Sequence, residues 1–206
     1  MIRDVYRFLI PLIVLIAICA YCAQWMVLAV FTLLAAFVCY FFRNPSRQIP
    51  AAEGLIVSPA DGKVVRIVPL AVSAHEPGGF AISIFLNIFN VHVNRSPIRG
   101  RLERLEYMRG KFKAAYDDEA SRVNEQNILT IQGDKLRVVV KQIAGLIARR
   151  VICWKNRGDE LDRGELFGLI RFGSRVDVLV PENVRVLVKV GDRVKGGSSI
   201  LGELHG

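Results

Sequence analysis

Leu166-Phe167-Gly168-Leu169-Ile170-Arg171-Phe172-Gly173-Ser174-Arg175-Val176-Asp177-Val178-Leu179-Val180 is the stretch whose reading decides the fold. Two apolar, β-favouring runs, Leu166–Phe172 and Val176–Val180, meet at a Gly-Ser pair. Short runs of this kind bounded by turn residues read as strands. A bend at the join presents the Ser174 hydroxyl beside the carbonyl carbon of Gly173. Glycine has no Cβ, so it can adopt strained backbone angles and leave that carbonyl open to attack. By itself a Gly-Ser pair is usually a turn, and local features alone favour a structural bulge.

Outward from this segment the same grammar continues. Leu55-Ile56-Val57, the turn Ser58-Pro59-Ala60-Asp61-Gly62 and Lys63–Val68 read as strand, tight turn, strand. Phe80–Phe89 is a long β-branched and aromatic run, and Arg101–Met108 alternates loosely. Asn127–Ile143 reads as a hairpin turning at Gln132-Gly133-Asp134-Lys135. Gly145–Ile152 is a further strand candidate, and Val176–Val180 and Val184–Val190 alternate around Pro181-Glu182-Asn183. Lys111–Asn124, with Ala, Glu and Asp and no Gly or Pro, predicts a helix. Ser58–Val68 and Val188–Leu201 look alike, and both resemble the hairpins of lipoyl- or biotinyl-type barrels. The fold class expected is mainly β (α+β): one β-rich domain with barrel or sandwich hairpins and at least one helix.

That domain is preceded by a different kind of sequence. Phe8–Phe42 carries no charged residue, although the chain of 206 residues has a formal net charge of +9 and is 52% hydrophobic. One helix over the whole stretch would run roughly 50 Å at 1.5 Å per residue, against a hydrocarbon core of about 30 Å. Two short helices fit better, and Tyr21, Gln24 and Trp25 near the middle suit a turn at an interface. Arg3, Arg7, Arg43 and Arg47 flank the segment. The organisation expected is therefore a membrane anchor over 1–47, with a helical hairpin at 8–42, and the β-rich domain over 48–206. The positive-inside bias puts that domain on the cytoplasmic side of the cell (inner) membrane. A cleavable signal peptide fits less well, because a second apolar run follows the first at once.

The basic balance predicts an anionic partner, and the apolar segment makes that partner a membrane surface. No recognition-helix pattern, zinc-finger spacing or RNA-binding aromatic motif is present, so nucleic acid is not expected. Arg43 and Arg47 could attract acidic lipids at the bilayer exit. Cys19, Cys22 and Cys39 lie in the apolar segment and Cys153 is alone, so no disulfide framework is implied. His75, His92 and His205 show no metal-ligand spacing, and no metal is expected.

Two more elements bear on chemistry. Asn90-Val91-His92-Val93-Asn94-Arg95-Ser96-Pro97 ends an apolar run and puts His92 at a strand edge. A lone histidine is more often structural, yet imidazole is the side chain best suited to take a proton from serine near neutral pH. Asp61 lies in a Pro-Ala-Asp-Gly turn, where aspartate usually bonds its own backbone.

Taken together, Ser58-Pro59-Ala60-Asp61-Gly62, Val91-His92 and Arg171-Phe172-Gly173-Ser174 resemble, in that order, the motifs of phosphatidylserine decarboxylase proenzymes. Phe41-Phe42-Arg43-Asn44-Pro45, Asn124-Glu125 and Gln142-Ile143-Ala144-Gly145-Leu146-Ile147-Ala148-Arg149-Arg150 extend the resemblance over essentially the whole chain. The short prokaryotic form is the nearest match. The resemblance implies that Ser174 attacks the Gly173 carbonyl, with His92 as base and Asp61 orienting it. Elimination would then leave a β chain of residues 1–173 and an α chain of residues 174–206, with Ser174 converted to a covalent pyruvoyl group. It further implies phosphatidylserine as substrate, a Schiff base between its amine and the pyruvoyl ketone, and phosphatidylethanolamine and CO2 as products. The β and α chains would stay partners, with a homo-oligomer of that pair left open.

Two departures stand out. Some relatives carry Ser or Thr where this chain has Arg175, and long-form relatives carry a histidine where it has Phe89. Gly196-Gly197-Ser198-Ser199 is a second Gly-Ser site, but it lacks the Arg-Phe context. Two other functions compete: a membrane-tethered lipoyl-like carrier without catalysis, and a pyruvoyl decarboxylase of another amino-acid headgroup. The carrier would need a modifiable lysine at a hairpin tip, and Lys189 lacks the flanks for that role.

Overall fold

The computed structural model describes residues 3–71, 78–113, 119–146, 150–171 and 173–205. The chain divides into two compact units, Met1–Ser46 and Arg47–Gly206.

The first unit is the helical hairpin, α1 (Tyr6–Tyr21) and α2 (Trp25–Phe41). The turn comes at Cys22-Ala23-Gln24. Ala23 takes φ +53, and the Gln24 N–H donates to the Cys19 carbonyl at 2.8 Å. Near the chain's return, Phe42 stacks on Phe8 and meets Phe41 edge-on, with centroids 5.6 and 5.1 Å apart. The helices have 16 and 17 residues, about 24–26 Å at 1.5 Å per residue. No described helix is long and apolar enough to cross a membrane. Ile10, Ile13, Ile18, Met26, Val30 and Leu33 are all more than half exposed.

The second unit is β-rich. In chain order it contains β1 (Leu55–Val57), β2 (Gly62–Leu70), β3 (Gly79–Leu86), β4 (Val93–Arg95), β5 (Gly100–Met108) and the one-turn helix α3 (Ala120–Val123). Then follow β6 (Gln126–Gln132), β7 (Arg137–Ile143), β8 (Val151–Cys153), β9 (Glu160–Leu161), β10 (Leu166–Ile170) and β11 (Ser174–Pro181). The chain closes with β12 (Val184–Val186), β13 (Arg193–Val194) and β14 (Ile200–Leu204). Eight strands form one curled sheet in the order β13-β2-β3-β11-β7-β6-β5-β9. Two small sheets, β1-β14-β12 and β4-β10-β8, complete the unit. The fold is mainly β with an N-terminal helical hairpin, as the sequence pattern predicts.

β11 lies at the centre of the large sheet. It pairs antiparallel with β3 from Ser174↔Leu86 to Pro181↔Gly79, and with β7 from Arg175↔Ile143 to Leu179↔Val139. Val176, Val178 and Val180 point into a core shared with Ile82, Ile84 and Val140 of the large sheet and with Phe167 and Ile170 of β10. The opposite face of β11 is also covered. There Arg175 and Asp177, two residues apart on one face, form a two-pronged ion pair at 2.8 and 2.9 Å. Their side chains are only 3% and 7% exposed. The strand therefore reads as an alternation, valines on the core face and a buried charged pair on the other.

Several local expectations are corrected. The helix predicted over Lys111–Asn124 is reduced, among the described residues, to Ala120–Val123. The Asn124 side chain accepts from the Lys113 N–H at 2.9 Å and donates to the Lys113 carbonyl at 2.8 Å. The Glu125 N–H donates to the Lys111 carbonyl at 3.0 Å. These bonds spend the backbone on closing a loop instead of on helical i→i−4 bonds. Residues 114–118 of that segment lie outside the described residues. The strand expected over Gly145–Ile152 is confined to Val151–Cys153, and Ile147–Arg149 lie outside the description. The two look-alike segments pair with each other. The Ser58 N–H donates to the Ser199 carbonyl and the Val64 N–H to the Asp192 carbonyl, while Arg193↔Lys63 and Val194↔Gly62 join β13 to β2.

Breaking the buried pair on β11 should be felt globally. Asp177→Ala takes a carboxylate from a buried guanidinium and is expected to cost about 3–5 kcal/mol, read as a lowered urea midpoint at unchanged slope.

Candidate functional site

The site is built where the chain passes from the end of β10 to the start of β11, that is, from a small sheet to the middle of the large one. Gly173 makes that passage at φ +59. L residues pay for this left-handed conformation and glycine does not. A Cβ placed on Gly173 would meet no atom within 4 Å, so conformation, not crowding, makes glycine the fitting residue. Ser174 follows as the first residue of β11, fully buried. Its Oγ has no hydrogen-bond partner among the described residues. A buried hydroxyl in that condition costs free energy, about 1–3 kcal/mol, and calls for an explanation. Phe172, part of the quoted motif, lies outside the described residues.

His92 comes from the strand beside the approach. β4 pairs with β10 through Leu169↔Val93, and the Ile170 N–H donates to the His92 carbonyl at 3.2 Å. His92 is fully buried. Its Nδ1 lies 2.9 Å from the Asn90 carbonyl oxygen. A carbonyl only accepts, so Nδ1 carries the proton and in the neutral ring Nε2 is the basic nitrogen.

Asp61 sits immediately before β2. By register, Lys63 opposes Phe85 and Ser174 opposes Leu86. The starts of β2 and β11 therefore flank the end of β3, two strand spacings or about 10 Å apart. The Asp61 carboxylate accepts from Arg47 Nη2 at 2.7 and 2.9 Å and from the Gly196 N–H at 2.8 Å. The Arg47 side chain is 10% exposed. Arg95 lies close by. Burial and the positive charge of Arg47 pull its guanidinium below the usual range, and Asp61 opposes that pull.

Register thus puts Asp61 and Ser174 near the same end of the large sheet, and the Ile170–His92 bond puts His92 beside the end of β10, while the bonds described for Asp61 go to Arg47 and Gly196 and the ring bond described for His92 goes to Asn90. The structure also reveals partners that the sequence reading missed. Arg47, considered there as a lipid attractor, is spent on Asp61. Gly196 belongs to the second Gly-Ser site. That segment closes on itself, with the Ser198 and Ser199 N–H groups both donating to the Lys195 carbonyl, and it serves as a cradle for Asp61. A cavity of about 500 Å3 lies at the other end of the sheet, beside Gly133 and Arg163, and holds none of the three. Among the described residues no cluster of three His, Cys, Asp or Glu could hold a metal ion. His75 lies outside the described residues.

Comparison with known proteins narrows what this arrangement is for. A family profile described as phosphatidylserine decarboxylase matches residues 34–202. The chain belongs to the phosphatidylserine decarboxylase family. Among its relatives is the phosphatidylserine decarboxylase proenzyme of Symbiobacterium thermophilum, 48% identical over 93% of this chain and 90% of that protein. The proenzyme of Solibacter usitatus is 51% identical over 82% and 79%. That of Carboxydothermus hydrogenoformans is 44% identical over 100% and 97%. These bacterial relatives are of similar length, so the family's short form is the one represented. Membership makes the chain an enzyme of the decarboxylase, phospholipid-synthesising kind.

The clamp on Asp61 has a measurable cost. Arg47→Ala should lower stability by about 3 kcal/mol in denaturant unfolding, and Arg47→Lys should restore part of it.

Proposed function

We propose that this chain decarboxylates phosphatidylserine to phosphatidylethanolamine and CO2, after cutting itself between Gly173 and Ser174. The observation that carries this reading is the buried Ser174 hydroxyl, without a partner among the described residues, directly behind a left-handed glycine. The proenzyme names of the relatives support a precursor that must mature.

The steps follow from the residues. Ser174 Oγ attacks the Gly173 carbonyl carbon while His92 Nε2 takes the hydroxyl proton. The Ser174 nitrogen leaves with a proton, and an ester replaces the amide. Loss of the Ser174 Cα proton then breaks the ester C–O bond. Gly173 leaves as a carboxylate on residues 1–173, and residue 174 is left as a dehydroalanine. One water enters and one ammonia departs, giving the ketone of a pyruvoyl terminus on residues 174–206. Asp61, fixed by Arg47 and Gly196, is the acidic member of the proposed site, with the role of orienting the His92 imidazole. The residues fit this group, since the Ser174 oxygen, at the end of a central strand, is bonded to nothing among the described residues. A pyruvoyl ketone supplies an electron sink for decarboxylating an acid that carries an amine.

The hairpin supplies the second half of the function. Its exposed apolar side chains would cost about 25 cal/mol per Å2 in water, which favours insertion into lipid, with the β-rich unit on the cytoplasmic face of the cell membrane. Phosphatidylserine is presented at that surface.

Purified wild-type protein should run as two pieces on a denaturing gel, the smaller lighter by one ammonia than a serine-terminated fragment and reactive to a carbonyl probe. Ser174→Ala should stay whole, and His92→Ala should split about 10²–10⁴ times more slowly. A single uncut, ketone-free polypeptide with full activity on phosphatidylserine vesicles would overturn the proposal. Removing residues 1–46 should move the protein from the membrane pellet to the supernatant. In inverted vesicles of cells making the full chain, added protease should digest the β-rich unit, and protection there would reverse the assigned side.

A further inference from the structure

Three buried amides form a row between the large sheet and the small sheet β4-β10-β8. Asn127 Nδ2 donates to Gln142 Oε1 at 3.0 Å. Gln142 Nε2 donates to Asn94 Oδ1 at 2.8 Å and to the Ile152 carbonyl at 3.3 Å. Gly168 makes room for this, because a Cβ there would stand 2.8 Å from Gln142 Nε2. The direction of the row is fixed by chemistry. The Ile152 carbonyl can only accept, so Gln142 must turn its NH2 towards it. That NH2 then meets the oxygen of Asn94. The NH2 of Asn94 has to face the other way.

Asn94 is fully buried, and its Nδ2 has no hydrogen-bond partner among the described residues. A row of oriented amides that ends in a buried donor with no partner among the described residues is suited to an acceptor that arrives later. Its position says which acceptor. Asn94 lies in β4 two residues after His92, whose carbonyl accepts from the Ile170 N–H next along the same pairing with β10, so the two come from one end of that ladder. Gln142 opposes Val176, which is two residues from Ser174 on the core face of β11. Both orphaned groups, the Asn94 amide and the Ser174 hydroxyl, belong to the layer between the sheets at the end that holds His92.

We infer that Asn94 is a catalytic hydrogen-bond donor whose Nδ2 receives a negatively charged oxygen on carbon, and that Gln142 is the positioning residue that aims it. This rests on the proposed role of Ser174. Two oxygens have that chemistry: the oxyanion formed on the Gly173 carbonyl during self-cleavage, and the carboxylate of the substrate's serine headgroup. Such a donor, fixed before the charge develops, costs no reorganisation at the moment of reaction.

The test follows cleavage of freshly synthesised full-length chain on denaturing gels, then kcat and KM of the split enzyme on phosphatidylserine vesicles. Asn94→Ala removes the donor, and Asn94→Asp removes it at nearly constant size. Gln142→Glu offers Asn94 an acceptor and turns its NH2 away from the site. Asn94→Ser keeps a donor and should recover part of the loss, which a purely structural asparagine would not allow. Circular dichroism and thermal melting identify the variants that fold. About 100-fold slower cleavage in the folded donor-removing variants assigns the donor to the Gly173 oxyanion. Cleavage at the wild-type rate with a tenfold or greater rise in KM or fall in kcat assigns it to the headgroup carboxylate. Wild type that splits while every folded variant matches it within twofold in both assays overturns this inference alone. A wild-type chain that stays whole overturns the Ser174 reading and this one with it.

Discussion

The site depends on one backbone constraint. The chain must leave the end of a three-stranded sheet at Ile170 and enter the middle of an eight-stranded sheet at Ser174. Both ends are fixed by ladders, β10 between β4 and β8 and β11 between β3 and β7. Gly173, directly ahead of β11, takes the left-handed region. The same constraint puts Ser174 under the sheet layer and out of reach of water, its hydroxyl bonded to nothing among the described residues. Geometry and desolvation, both consequences of where two sheets meet, are what turn an ordinary Gly-Ser pair into a candidate for chemistry.

A second dependence runs through Asp61. Its carboxylate is shared between Arg47, the first residue of the β-rich unit, and Gly196, near the chain's end. Arg95 adds a second positive neighbour. Arg47 and Gly196 therefore hold one side chain between them, with Arg95 as a charged neighbour. Low-dielectric surroundings make each of those contacts stronger than it would be in water and make its loss more expensive.

Much of this was legible in the sequence, for definable reasons. The hairpin announces itself by an uncharged run too long for one helix, with polar and aromatic residues at its middle. The large sheet announces itself by β-branched runs between turn residues, and Gly173-Ser174 by its place between two of them. What could not be read are contacts that local pattern does not encode. The Arg47–Asp61 and Gly196–Asp61 pairs are 14 and 135 residues apart in the chain. Asn94, Gln142 and Asn127 are ordinary polar residues until the sheets stack and bury them. Among the described residues Lys111–Asn124 is helical only at Ala120–Val123, because the Asn124 side chain ties the backbone at Lys113 elsewhere while composition favoured a longer helix.

The central place of β11 has one more consequence. A break ahead of Ser174 would cut the covalent chain but leave the last segment stitched into the large sheet by β3 and β7 on either side of β11 and by β2 beside β13, while β14 pairs with β1 in the neighbouring sheet. To fall away, the severed tail would have to unzip four ladders and expose the core valines of β11. The fold holds its own fragments together, so the molecule can sacrifice a peptide bond without losing its shape.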